Sequence, residues 1–153
     1  MANKMGSEAL EPTGERIKEE RYRLSLYPGS QIPPDFKNLI IAPFLNSLRY
    51  GNDLFKLIDK DAYFLSYNKY IELLLQRPST QVKFAILDDE TVLGWRISEL
   101  KTLHYIWVKK EVRRQGIGRA LMPQEFDTIS HITNKGINIW VNHYPNVKFN
   151  PFA

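Results

Sequence analysis

From Asp35 onward, apolar residues return every three or four positions: Phe36, Leu39, Ile40, Phe44 and Leu48. That spacing puts them on one face of a helix, with Asp35 able to cap its start. Pro43 lies inside the stretch, so a kink or break is predicted near it. A second helix is predicted from Asp59 to Arg77 on the stripe Phe64, Leu65, Tyr67, Ile71, Leu74 and Leu75, with Pro78 as its stop. The pattern then becomes extended. Gln81 to Leu87, Thr91 to Ser98 and Thr102 to Val108 read as strands, the first two joined as a hairpin through Asp88 to Glu90. Gly116 to Ile132 reads as a helix kinked at Pro123, and Ile137 to Val141 as one more strand. Upstream, Arg21 to Tyr27 alternates well enough for a short strand. The order of helices, hairpin, strand, helix and strand implies an α/β (α+β) fold, a mixed central sheet flanked by helices.

Composition narrows the class. A chain of 153 residues, 43% hydrophobic and 25% charged, suits one globular domain. Residues 1–30 are rich in charge and turn formers and read as an N-terminal arm, which leaves the domain to residues 31–153. The absence of cysteine excludes disulfides, thiolate nucleophiles and thiolate zinc sites. His131 and His143 have no carboxylate at ligand spacing, so no metal is expected. No apolar stretch approaches ~20 residues and no secretory signal opens the chain, so a cytoplasmic location without membrane contact is expected.

The net charge is +4. Between Lys101 and Arg119, six basic residues face one acid, Glu111, so this segment could hold the whole excess and attract a polyanion. In the same segment the strand Leu103-His104-Tyr105-Ile106-Trp107-Val108 leads through a basic turn with Gly116 and Gly118 into a helix. A strand-to-helix turn of this kind aims free backbone N–H groups at one point and suits a phosphate. There is no Gly-Lys-Ser/Thr, hence no Walker A loop, and no third glycine three residues beyond Gly118, hence no dinucleotide fingerprint. Nucleic acid is the rival ligand for the basic residues, but it leaves the two glycines unexplained.

Arg113-Arg114-Gln115-Gly116-Ile117-Gly118, after a strand ending in Val108, resembles the acyl-CoA signature of the GCN5-related N-acetyltransferase (GNAT) superfamily, Arg/Gln-x-x-Gly-x-Gly/Ala. The resemblance is specific over residues 103–121 and looser over 36–142. It implies an N-acetyltransferase that moves an acetyl group from acetyl-CoA to an amine. It further implies that N–H groups of Gln115, Gly116, Ile117, Gly118 and Arg119 hold the pyrophosphate. Ile106 and Val108 would then offer main-chain groups to the pantetheine arm, and Arg113, Arg114 and Arg119 would supply charge. Strand periodicity puts residue 104 on the face of 106 and 108. The serotonin N-acetyltransferase branch carries a similar Leu-His strand, and with Leu103-His104 here the resemblance implies His104 as general base. Tyr144 is the candidate for the family's tyrosine acid, although it stands closer to the expected strand than is usual.

The sequence departs from the family pattern in three ways. Lys110 replaces a usual proline, Arg114 replaces a usual glycine, and the chain ends at Ala153 before the usual closing helix and strands, so a C-terminally shortened version of the fold is expected. The edge beside Ile137 to Val141 should then be covered by Tyr144 to Ala153 or by a second copy in a homodimer. The Leu-His-Tyr strand and the ending Asn150-Pro151-Phe152 are also similar to small acetyltransferase-like proteins of tailed bacteriophages. That likeness leaves a non-catalytic binding or structural role, virion-associated, as the alternative. Tyr50, Tyr63, Tyr67 and Tyr70 are candidates to border an acceptor groove.

Overall fold

The computed structural model describes residues 22–153, together with the backbone of two short strands, β1 (Ala9–Leu10) and β2 (Arg16–Ile17), which pair with each other. The remainder of the expected arm lies outside the described residues. The main sheet has six strands in the order β3 (Tyr22–Pro28), β4 (Thr80–Leu87), β5 (Val92–Glu99), β6 (Thr102–Val108), β7 (Thr128–Ile129) and β8 (Lys148–Phe149). The first four are antiparallel, and β7 and β8 add in parallel. The expected mixed sheet with helical cover is therefore found. The strand expected at Arg21 to Tyr27 is β3, which pairs with β4 along its whole length.

Helices α1 (Pro34–Tyr50) and α2 (Lys60–Gln76) pack on one face through Ile40, Phe44, Leu48, Tyr63, Ile71 and Leu74, all essentially inaccessible to solvent. Asp59 caps α2, its side chain accepting from the Ala62 N–H at 3.0 Å. Asp35 does not cap α1. It lies in the first turn behind Pro33 and Pro34, where a carboxylate still favours the helix N-terminus. On the opposite face a short α3 (Ile117–Leu121) covers Ala85, Leu87 and Leu93.

α1 runs through Pro43 without the predicted break. A proline there deprives the Leu39 carbonyl of its helical donor, and the Trp95 indole supplies a substitute, Nε1–H donating to Leu39 O at 2.9 Å. Trp95 is fully buried between Phe44 and Trp107. Trp95→Phe should therefore cost more in the native background than beside Pro43→Ala, where residue 43 regains an N–H for Leu39. A double-mutant cycle by urea unfolding should give a coupling of about 1 kcal/mol, and equal costs in both backgrounds would refute the substitution of donors.

Two expectations at the C-terminal end are corrected. The helix predicted over Gly116 to Ile132 ends at Leu121 because Met122, preceding Pro123, is held extended (φ −59, ψ 136). The freed Leu121 carbonyl accepts from Arg96 Nη1. The strand predicted over Ile137 to Val141 lies within α4 (Asn134–His143), capped by the Thr133 hydroxyl accepting from the Gly136 N–H. The alternating Ile137, Ile139 and Val141 are all exposed, and the inward stripe is instead Ile132, Gly136, Trp140 and Tyr144, at helical four-residue spacing. The edge expected beside Ile137 to Val141 thus does not exist. The tail nevertheless supplies a sheet strand, with β8 pairing to β7 through Thr128 with Lys148 and Ile129 with Phe149.

Candidate functional site

β6 and β7 part early. They pair only at Thr102 with Thr128 and Leu103 with Ile129, followed by one bond from the Ser130 N–H to the Leu103 carbonyl. Beyond that point β6 pairs with β5 on one side and with no strand on the other. The Lys109 N–H donates to Leu93 O across β5, so by antiparallel alternation the main-chain groups of Ile106 and Val108 face away from β5, toward the unpaired edge. The Val108 carbonyl is already taken by Arg113 Nε at 2.8 Å, which leaves its N–H. This Arg113 contact stiffens the turn that follows the strand.

That turn is pinned by two core side chains, Val112 and Ile117, which are buried under the sheet. Ile117 can therefore offer only its backbone outward. Between them the backbone turns left-handed twice, at Arg114 (φ 62) and Gly116 (φ 89). Arg114 holds the position where the resembling pattern carries glycine, and its backbone adopts the region that glycine favours. No side chain caps α3, and its first N–H groups have no intrahelical acceptor. A Cβ added at Gly116 would meet no atom within 4 Å, and one at Gly118 only the Val108 side chain at 3.7 Å. The glycines thus leave room for a group to approach the backbone closely, which a pyrophosphate needs. Arg113, Arg114 and Arg119 are exposed around it and Gln115 is half-buried.

The strand-face argument for His104 is altered by a bulge. Ile97 pairs with Tyr105 and Ser98 with Leu103, which leaves His104 as the extra residue. Its ring is completely buried and both nitrogens are engaged, Nε2 with Glu99 Oε1 at 3.0 Å and Nδ1 with Ser130 Oγ at 2.7 Å. Ser130 Oγ also meets His131 Nδ1 at 2.9 Å, and Arg77 Nη1 donates to Glu99 Oε1 at 3.0 Å. Burial raises the Glu99 carboxyl, but hydrogen bonds from His104 and Arg77 outweigh it and hold the group below the usual range. Burial lowers His104 further than Glu99 raises it. Burial, helped by His104, pushes His131 down to about 4.

Tyr144 shares no hydrogen bond or ring contact with His104. It caps the end of α4 with its ring against Phe126, centroids 5.3 Å apart, in an apolar cluster that also includes Ile106. Of the four candidate groove tyrosines, Tyr67 and Tyr70 lie half-buried against His131, Tyr63 is a core residue donating to Leu45 O at 2.7 Å, and Tyr50 points to solvent. The sequence reading missed Glu99 and Ser130 and considered His131 only as a metal ligand. Among the described residues no group of three His, Asp or Glu side chains could hold a metal ion, and no helix is long and apolar enough to cross a membrane.

No protein-family model matches this chain, and no curated protein does. Solved structures do. The chain is similar to apo-form YjaB from Escherichia coli (13% identity, TM-score 0.45, covering 65% of this chain and 60% of that one). It is similar to ribosomal-protein-alanine N-acetyltransferase from Brucella melitensis biovar Abortus 2308 (18%, 0.41, 84% and 78%). It is also similar to an acetyltransferase of the GNAT family from Staphylococcus aureus Mu50 (19%, 0.42, 65% and 61%). The chain thus spans less than two thirds of the Escherichia coli and Staphylococcus aureus proteins.

Proposed function

We propose that this protein is a GNAT-type N-acyltransferase that binds acetyl-CoA and acylates an amine. The observation that carries this reading is the strand-to-helix turn at Gly116 and Gly118, where an added side chain would meet no close neighbour, at the end of a strand whose pairing with β7 stops at Leu103. The pyrophosphate would lie on the amides of Gln115 to Arg119, with Arg114 and Arg119 adding charge and Arg113 bracing the turn through Val108. The pantetheine arm would pair with the edge-facing groups of Ile106 and Val108 as an added strand. Acetyl-CoA supplies an activated acyl carbon. The bulge at His104 leaves main-chain groups outside the ladder where that carbon would lie, and the amine's proton would leave by way of His104, whose ring bonds both Ser130 and Glu99. Tyr144, in the cluster that contains Ile106, is the proposed acid on the leaving-thiol side.

Isothermal calorimetry with acetyl-CoA tests the first half of the reading and release of free CoA thiol with added amines the second. Affinity should fall as salt is raised, and Arg114→Gln with Arg119→Gln should weaken it by roughly tenfold or more at low salt. Affinity for duplex DNA that exceeds that for acetyl-CoA would overturn the assignment. The complete enclosure of His104 favours one second reading, a non-catalytic acyl-CoA-binding module. Under it acetyl-CoA binds and no amine releases thiol.

A further inference from the structure

The hydrogen bonds around His104 run in a single direction. Glu99 is an ionised carboxylate beside Arg77 and can only accept. His104 therefore carries its proton on Nε2 and donates it to Glu99, which leaves Nδ1 bare. The only donor Nδ1 can take at 2.7 Å is the Ser130 hydroxyl. With its proton committed, Ser130 Oγ accepts at 2.9 Å, so His131 carries its proton on Nδ1. The last free atom is His131 Nε2, a bare lone pair with no hydrogen-bond partner among the described residues. Phe44 of α1 and Tyr67 and Tyr70 of α2 surround this ring, with centroids 5.2 to 5.8 Å away. The Tyr70 hydroxyl is itself buried. At the other end, the Glu99 side chain retains 21% of its exposure and opens to solvent.

We infer that His131 is the residue that takes the proton from the acceptor amine, and that Ser130, His104 and Glu99 form the wire that carries a proton to the surface. The inference rests on the acyltransferase reading. The amine proton bonds to His131 Nε2 as the Nδ1 proton passes to Ser130 Oγ. The Ser130 hydroxyl proton passes to His104 Nδ1, and the His104 Nε2 proton passes to Glu99 Oε1. One proton leaves the amine and one arrives on the carboxyl, and no link is left charged. Glu99 then gives its proton to water, and His131 keeps the amine's proton on Nε2 until a proton re-enters at Glu99, the transfers run in reverse and Nε2 releases its proton to solvent once the product has left. His131 is the catalytic residue in this scheme, and Ser130, His104 and Glu99 are positioning residues. The aromatic surround restricts the acceptor to amines that reach His131 past Tyr67 and Tyr70.

The direction is readable without any substrate. In the full chain labelled with 15N at histidine, long-range ring correlations at pH 7 should show His104 protonated on Nε2 and His131 on Nδ1. The opposite tautomer at either ring overturns the wire. The role is tested with acetyl-CoA and a panel of spermidine, tyramine and an N-terminal peptide. His131→Asn keeps a donor for Ser130 but lacks the bare nitrogen, so kcat should fall roughly 10²-fold with the acetyl-CoA KM unchanged. Ser130→Ala should do the same and Ser130→Thr should restore most of the rate. Equal kcat in wild type and His131→Asn, or acetyl-CoA binding with transfer to none of the panel, refutes the wire. Failure of the wild type to bind acetyl-CoA in calorimetry refutes the acyltransferase reading itself.

Discussion

Gly116→Asn should reduce acetyl-CoA affinity by roughly 10²-fold or more, about 2.7 kcal/mol, while the protein stays folded. Residue 116 sits at φ 89 and a Cβ there meets nothing within 4 Å, so the fold tolerates a side chain that can adopt left-handed backbone. Asparagine does so at little cost, yet its amide would stand where the phosphate must approach. Gly116→Val should lose binding as well and should also lose stability, since a β-branched residue at positive φ is strained. Gly118→Ala is the contrasting substitution. Its Cβ makes an ordinary contact with Val108 at 3.7 Å in a helical position where alanine is preferred to glycine, so binding and stability should both remain near wild type. Calorimetry and thermal unfolding on the three variants separate blockage from strain. Undiminished binding by Gly116→Asn would remove the strand-to-helix turn as the phosphate site.

The two glycines were legible in the sequence because their reason is local: a turn between a strand and a helix needs no distant partner. The helix pair, the hairpin and β6 were legible for the same reason, each having a complete stripe or alternation within its own residues. α4 was not. Ile137, Ile139 and Val141 alternate as a strand would, and only the packing of Trp140, whose indole donates to Val147 O at 2.8 Å, shows which face is inward. The length of α3 was misjudged because a proline can kink or end a helix, and here the Leu121 carbonyl found a tertiary donor in Arg96. Pro43 is the mirror case, in which a tertiary donor from Trp95 allowed the helix to continue. The polar chain from Glu99 to His131 left no trace in spacing. It depends on a bulge that turns His104 toward Ser130, and a bulge appears only when the register of two strands is known.

Acidification should destabilise this protein well above the pH at which its carboxylates titrate, and His131 should be the main cause. Its folded pKa of about 4 lies below the ordinary value of 6.5, so between these values the unfolded chain binds a proton that the folded chain refuses. Stability from this group is complete above about pH 6.5, declines as pH falls, and levels off below about 4. The interval corresponds to roughly 3 kcal/mol. His104, also lowered by burial, acts in the same direction over the same side of neutrality. Glu99 acts later, because its depressed carboxyl holds its proton off until more acid conditions. Urea unfolding at pH 7, 6, 5 and 4 should show the midpoint falling steadily for wild type. In His131→Asn, which keeps an N–H for Ser130 but cannot titrate, most of that decline should vanish and the remaining slope should belong to His104. Parallel decline in both proteins would mean that His131 accepts a proton in the folded state without cost. The enclosure by Phe44, Tyr67 and Tyr70 would then be looser than the ring contacts require.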